Sequence, residues 1–203
     1  MDIDRSTMFK LSYGLFVLTA KDGAKDNGCI INTAIQLTEQ PYRLSIAVNK
    51  ANYTHDMIHQ TKKFNVSILT QQASFDIFKQ FGFQSGTTVD KFANVSYHTR
   101  TENGIRYLPH DANGVISGEV IHAMDCGTHT LFIADITAAV SLSNEPSATY
   151  QYYFDHIKPK PEAPKEKGFL CTICGYIFKG DTLPSDYVCP ICKHGANVFK
   201  PLI

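Results

Sequence analysis

Cys171-Thr-Ile-Cys174 and Cys189-Pro-Ile-Cys192 are two Cys-x-x-Cys knuckles near the end of the chain, separated by residues 175–188. Thiolates from two such turns can converge on one tetrahedral metal. An all-sulfur tetrahedral set selects iron or zinc over hard cations, and spacing alone does not choose between those two. Glycine tolerates positive φ, so Gly175 suits the tight turn that closes the first knuckle. Backbone N–H groups following each second cysteine can point at the sulfurs, which raises the reduction potential of an iron–thiolate centre. A segment this short cannot build a core of its own, so metal must staple it.

Working outward, the chain has 203 residues, which leaves enough length before the knuckles for one well-packed domain. Lys plus Arg and Asp plus Glu balance at 19 each, so no basic surplus points to nucleic acid or an anionic membrane. The start, Met1-Asp-Ile-Asp-Arg5, has no apolar signal core, and no run of about 18 apolar residues occurs. A cytoplasmic location is expected. Four metal-ligand cysteines with two lone ones, Cys29 and Cys126, fit a reducing compartment better than a disulfide framework.

The first part of the chain reads as strands with few helices. Asp4–Leu11 is expected to form a short helix and Gly14–Ala20 a buried strand. Asp22-Gly23 and Asn27-Gly28 both favour hairpin turns. Further strands are expected over Cys29–Thr38, Tyr42–Val48, Phe64–Leu69, Val115–Ala123 and Thr130–Leu142. Thr54 is the expected N-cap of a helix reaching Thr61. Ala73–Phe81 has helical spacing, with Phe75, Phe78 and Phe81 near one face. The pattern is mainly β and argues a closed antiparallel barrel. Lys158-Pro-Lys-Pro-Glu-Ala-Pro-Lys-Glu-Lys167 has no core former except Ala163, so it reads as a semi-rigid linker. Its reach is roughly 30 Å at about 3.1 Å per residue. The domains expected are 1–155, a linker at 156–167, and 168–203.

Two family resemblances sharpen this. Cys174-Gly-Tyr-Ile-Phe178 and Leu183-Pro-Ser-Asp-Tyr-Val-Cys-Pro190 resemble rubredoxin, which holds one iron on four cysteines. The segment between the knuckles is shorter than the family's, and Lys193 stands where a glycine is usual, so structural zinc remains the alternative to iron. Asn27-Gly-Cys-Ile-Ile-Asn-Thr-Ala-Ile-Gln-Leu-Thr38, Ser45-Ile-Ala-Val-Asn-Lys50, Thr54-His55, Phe81-Gly-Phe-Gln-Ser-Gly86, Asp90-Lys-Phe92 and Gly127-Thr-His129 together resemble the flavin reductase-like family. That resemblance implies a homodimeric split β-barrel holding FMN near the subunit interface.

FMN needs an anion site for its phosphate and hydrogen-bonding edges for its ring. Asn49, Lys50 and Thr54 lie at a strand end leading into a helix N-terminus, where N–H groups and the dipole favour phosphate. Lys91, Ser85 and Gly86 can add charge and amides. Asn27, Gly28, Asn32, Thr33 and Gln36 can edge the isoalloxazine or ribityl chain. The resemblance places His129 beside the flavin, in reach of the ring or an incoming nicotinamide; no catalytic acid or base is nominated. Cys29 and Cys126 read as packed thiols. The absence of a Gly-x-Gly-x-x-Gly fingerprint argues against a Rossmann nicotinamide domain.

Together the two parts resemble the high-molecular-weight rubredoxin class of flavin reductase–rubredoxin fusions from anaerobic bacteria. The resemblance implies an oxidoreductase passing electrons from NAD(P)H, directly or through a reductase, by way of FMN and iron. The implied acceptor is a flavodiiron oxygen or nitric-oxide reductase. Two other readings stay open: a flavin reductase serving a partner enzyme with a structural zinc site, and a non-enzymatic flavin-binding or docking module.

Overall fold

The computed structural model describes residues 3–93, 99–160 and 168–202. The chain divides into two compact units, Met1–Lys158 and Pro159–Ile203. The expected linker lies partly on residues 161–167, outside the described residues.

The first unit is built on a seven-stranded antiparallel sheet in the order β2-β1-β5-β6-β7-β4-β3. Its strands are β1 (Phe16–Asp22), β2 (Lys25–Ile31), β3 (Ile35–Glu39), β4 (Tyr42–Asn49), β5 (Lys63–Leu69), β6 (Ala112–Asp125) and β7 (His129–Ser141). The two ends of this order, β2 and β3, follow each other in sequence through residues 32–34. Among the described residues no ladder pairs β2 with β3, so the barrel is split at that point rather than closed. Thr33 bridges to β4 instead: its hydroxyl donates to the Ala47 carbonyl at 2.8 Å and accepts from the Ala47 N–H at 3.3 Å.

Strand alternation explains the two cores. On β1, Leu18 and Ala20 face the barrel interior with Cys29, Ile31, Leu44, Ile46, Val48, Phe64, Val66 and Phe132. Val17 faces the other way and packs with Leu69, Ile77, Phe78, Phe81 and Phe92. Both sides of β1 are thus covered, which is why it reads as an unbroken apolar run. Helix α1 (Tyr53–Thr61) puts Met57 and Ile58 into the interior cluster. Helix α2 (Phe75–Gly82) covers the outer cluster with Ile77, Phe78 and Phe81. A short helix at Tyr150–Tyr152 runs on as a π-helical turn, Tyr153–Ile157, and Ile157 still packs on that outer core.

Several local expectations change. The hairpin turn falls at Gly23, with φ of 55°, and Asn27-Gly28 lies inside β2. Ladder partners on β1 hold Asn27 and Gly28 extended, overriding their turn preference. The strand expected over Cys29–Thr38 breaks at residues 32–34, where the chain leaves one sheet edge for the other. The N-cap of α1 is Asn52, not Thr54; Thr54 lies within the first turn and is fully buried. At the amino terminus, Asp4 caps a 3-10 helix at Arg5–Lys10.

The second unit has a three-stranded sheet in the order β10-β8-β9, formed by β8 (Gly168–Cys171), β9 (Ile177–Lys179) and β10 (Phe199–Leu202). Its core is small: Cys171, Cys189 and Phe199, ringed by Phe169, Tyr176, Phe178, Leu183, Tyr187 and Val198. Tyr187 carries much of the packing, with Phe178 at 4.6 Å and Phe199 at 5.5 Å between ring centroids.

Candidate cofactor site and metal centre

In the second unit the knuckles fold alike. The Gly175 N–H donates to the Cys171 carbonyl at 2.9 Å, and the Lys193 N–H to the Cys189 carbonyl at 3.0 Å. The Cys171 and Cys189 N–H groups donate in turn to the Tyr176 and His194 carbonyls, each at 2.8 Å. This turn needs a left-handed residue after each second cysteine. Gly175 takes it at φ 80°, and Lys193 is forced into it at φ 61°.

The turns bring all four cysteine sulfurs within 4.8 Å of one another. Cys171 Sγ lies 3.6 Å from Cys192 Sγ, and Cys174 Sγ 3.5 Å from Cys189 Sγ. A tetrahedral metal with bonds of about 2.3 Å spans sulfurs about 3.8 Å apart, so the set fits an iron or zinc ion. Cys171 and Cys189 are buried, whereas Cys174 and Cys192 are partly exposed. Burial pushes the Cys174 thiol up to about 11, against a backbone N–H from Tyr176. Burial raises Cys192 as well. Burial also opposes ionisation of Cys189, but the N–H groups of Cys192 and Ile191, together with its neighbouring thiols, carry it below the ordinary thiol value. These N–H···S bonds are the kind that stabilise thiolate on a metal.

In the first unit the structure gathers the candidate residues into three groups. Asn27, Gly28, Thr54, Gly86 and Lys91 meet at β2. The buried Asn27 carboxamide donates to Thr54 Oγ1 at 3.0 Å, tying β2 to the first turn of α1. Gly86 sits against the same carboxamide so closely that a Cβ there would lie 2.1 Å from Asn27 Oδ1. Lys91 is 2% exposed, and its ammonium donates to the carbonyls of Gly28 at 2.8 Å and Phe81 at 3.0 Å. It is turned inward rather than offered to solvent, and burial depresses its pKa below the ordinary lysine value. Burial likewise raises the Cys29 thiol, which faces Thr54 and Lys91.

Asn49, Lys50 and His129 form the second group, at the end of β4. Asn49 pairs with His129 across the ladder, and the Lys50 N–H donates to the Thr128 carbonyl at 3.0 Å. Lys50 Nζ pairs with Asp125 at 2.7 Å, and that contact holds the exposed Asp125 carboxyl below its usual range. His129 Nδ1 lies 2.9 Å from Thr128 Oγ1. Asn32, Thr33 and Gln36 form the third group, on the link across the split and the edge strand β3. Ser85 is exposed and bonded to Thr87, not to the other candidates.

Two contributors were given no site role from the sequence, although His55 stands in the Thr54-His55 motif. His55 is nearly buried, with Nε2 2.8 Å from Thr130 Oγ1 and Nδ1 2.8 Å from Asp56, so it fastens α1 to β7 beside His129. Asp26 binds both Arg100, at 2.6 Å, and Arg106, at 3.0 Å, and clips the 99–108 segment to the start of β2. The pairings of His55 with Thr130 and of Asp26 with the two arginines join residues far apart in the chain, so the sequence does not show which partners meet. The second group borders a cavity of about 440 Å³ lined by Lys50, His55, His59, Asp125 and Thr130.

Comparison with known proteins finds two family matches along the chain. The family described as flavin reductase like domain matches residues 8–160, and the rubrerythrin, rubredoxin-like domain matches residues 169–200. A high molecular weight rubredoxin of Moorella thermoacetica is 34% identical, over 98% of this chain and 100% of that protein. A ferric-chelate reductase (NAD(P)H) of Archaeoglobus fulgidus is 32% identical, over 80% of this chain and 95% of its own. Among solved structures, an NADH:FAD oxidoreductase of Streptomyces globisporus superposes with a TM-score of 0.63 at 20% identity, over 71% of this chain and 85% of that one.

Proposed function

The chain belongs to the flavin reductase-like family and carries a rubredoxin-like domain in the arrangement of the high molecular weight rubredoxins, and from that premise we propose that it is an electron-transfer oxidoreductase. In this reading electrons enter from NAD(P)H, directly or through a reductase, and pass by way of FMN to a four-cysteine iron centre. From there they go to an acceptor protein. The observation that carries the reading is the convergence of four sulfurs within 4.8 Å on the same chain as the flavin-type barrel. Bound FMN would accept electrons in pairs and release them singly, while a one-iron thiolate centre cycles by one electron.

The chain's own residues supply binding and orientation. The first turn of α1 with Lys50 and Asn49 offers amides and charge to a phosphate. Thr33 and His129 offer polar edges to a ring, while the buried Asn27 carboxamide holds the first turn of α1. Cys174 and Cys192, the partly exposed ligands, mark the side where an electron leaves. NAD(P)H as donor is favoured by the name of the Archaeoglobus relative. A flavodiiron acceptor rests on the resemblance of the two-domain chain to its class. A homodimer is favoured by exposed Ile35 and Leu37 on β3 and Tyr42 at the start of β4, with Ile121 and Met124 on the second half of β6; sedimentation at two protein concentrations tests it. Among the described residues no helix is long and apolar enough to cross a membrane.

An anaerobic visible-absorption titration with NADH tests the proposal. Flavin and ferric-thiolate bands that both bleach support it. A flavin band bleaching alone, with zinc found in the protein, favours a flavin or ferric-chelate reductase with a structural metal. Bands that NADH leaves unmoved point to a separate protein donor.

A further inference from the structure

The basic side chain nearest the centre of the first candidate group points away from solvent. Lys91 is among the largest fully buried side chains of the unit. Among the described residues no carboxylate pairs with it; its acceptors are two backbone carbonyls, Gly28 on β2 and Phe81 near the end of α2. Burying an ammonium without a counter-charge is costly, and two carbonyls offset only part of that. Its two hydrogen bonds hold the Gly28 and Phe81 carbonyls at fixed positions around it.

The geometry it holds is specific. Its own carbonyl accepts from the Gln80 side chain, and Asp90 Oδ1 accepts the Phe92 N–H at 2.9 Å, so the 83–93 segment is anchored at its far end beside the lysine. At its near end that segment delivers Gly86 onto the Asn27 carboxamide. Asn27 in turn orders Thr54 and the first turn of α1. One ammonium therefore ties together β2, α2 and the segment that closes over Asn27.

We propose that Lys91 is a positioning residue of the FMN site: its buried ammonium fixes Gly28, Asn27 and the Gly86 segment in their binding arrangement and does not itself meet the cofactor's phosphate. This rests on the FMN reading above and sharpens it. A direct phosphate ligand contributes to FMN and nothing to riboflavin. A positioning residue contributes equally to both, because the ring and ribityl edges depend on it.

The test compares wild type, Lys91→Met and Lys91→Gln as full-length protein freed of flavin, titrated with FMN and with riboflavin by fluorescence quenching. Lys91→Met is expected to weaken both flavins by a common factor of about tenfold or more, the scale of a lost hydrogen bond to a charged group. Lys91→Gln, which keeps a donor, is expected to recover part of the loss for both. Loss confined to FMN makes Lys91 a phosphate ligand and overturns the inference. Unchanged affinities with only a lowered melting temperature overturn it too, as does failure of both variants to fold, which makes the lysine plain scaffold. Wild type that binds neither flavin sinks the FMN reading itself, an outcome distinct from variants that match a binding wild type.

Discussion

Replacing Gly86 by Ala probes the contact on which the first candidate group depends. The new Cβ would lie 2.1 Å from Asn27 Oδ1 and 2.5 Å from both Cγ and Nδ2, so no flip of the amide relieves it. The carboxamide must retreat by about 1.3 Å to reach the 3.4 Å of ordinary contact. Asn27 is 2% exposed and its Nδ2–Thr54 bond is 3.0 Å long, so a retreat of that size breaks the bond in a place water does not reach. Leaving one buried amide unsatisfied costs about 1–3 kcal/mol. Gly86 does not have positive φ, so no backbone strain adds to this. The expected loss is about 2 kcal/mol, or roughly 4–8 °C in the melting temperature of a unit this size. Calorimetry of flavin-free protein reads it directly. The decisive comparison is the same substitution in an Asn27→Ala background, where the obstacle is gone and the extra cost should fall below about 0.5 kcal/mol, a coupling well above additivity error. Equal costs in the two backgrounds would refute the reasoning.

Three further outcomes follow from the metal centre. Cys174→Ser should abolish electron output to an external acceptor while NADH still reduces the flavin; output that survives would defeat the relay. Metal affinity should fall steeply as pH drops: Cys174 sits at about 11 and Cys192 is also raised, so both are protonated in the metal-free chain at neutral pH, and binding must expel those protons. Competition with a chelator at several pH values measures the slope, and a flat profile would contradict thiolate ligation. Lys193→Gly should slow metal loss, because it releases a left-handed lysine costing about 1 kcal/mol, less the extra freedom glycine gives the unfolded chain; faster loss in the variant would show that the lysine side chain itself supports the site.

The two halves of the chain were legible to different degrees. The metal centre could be read almost whole, because its ligands lie in two short turns whose geometry is set within each knuckle. Even the departure at Lys193 was visible, although only the backbone shows that the lysine accepts the φ a glycine would. The barrel was legible as strands and as an ordered set of motifs, but its local signals misled where ladders overrode them. Asn27-Gly28 has a turn preference and lies in a strand. Thr54 has a capping preference and is instead a buried acceptor for Asn27.

Sequence alone determined the kind of chemistry: four thiols at knuckle spacing, a β domain long enough to fold, and a polar set resembling a flavin site. Those properties are local or compositional, and each is carried by short runs of sequence. Tertiary structure decided which of those residues meet. Asn27 on β2, Thr54 on α1, and Gly86 and Lys91 on the 83–93 segment are far apart in the chain and meet only where the fold packs α1 and that segment against β2. Whether Lys91 faces solvent or two carbonyls depends on what packs over it. That is a matter of distance across the fold, to which the order of residues along the chain gives no direct access.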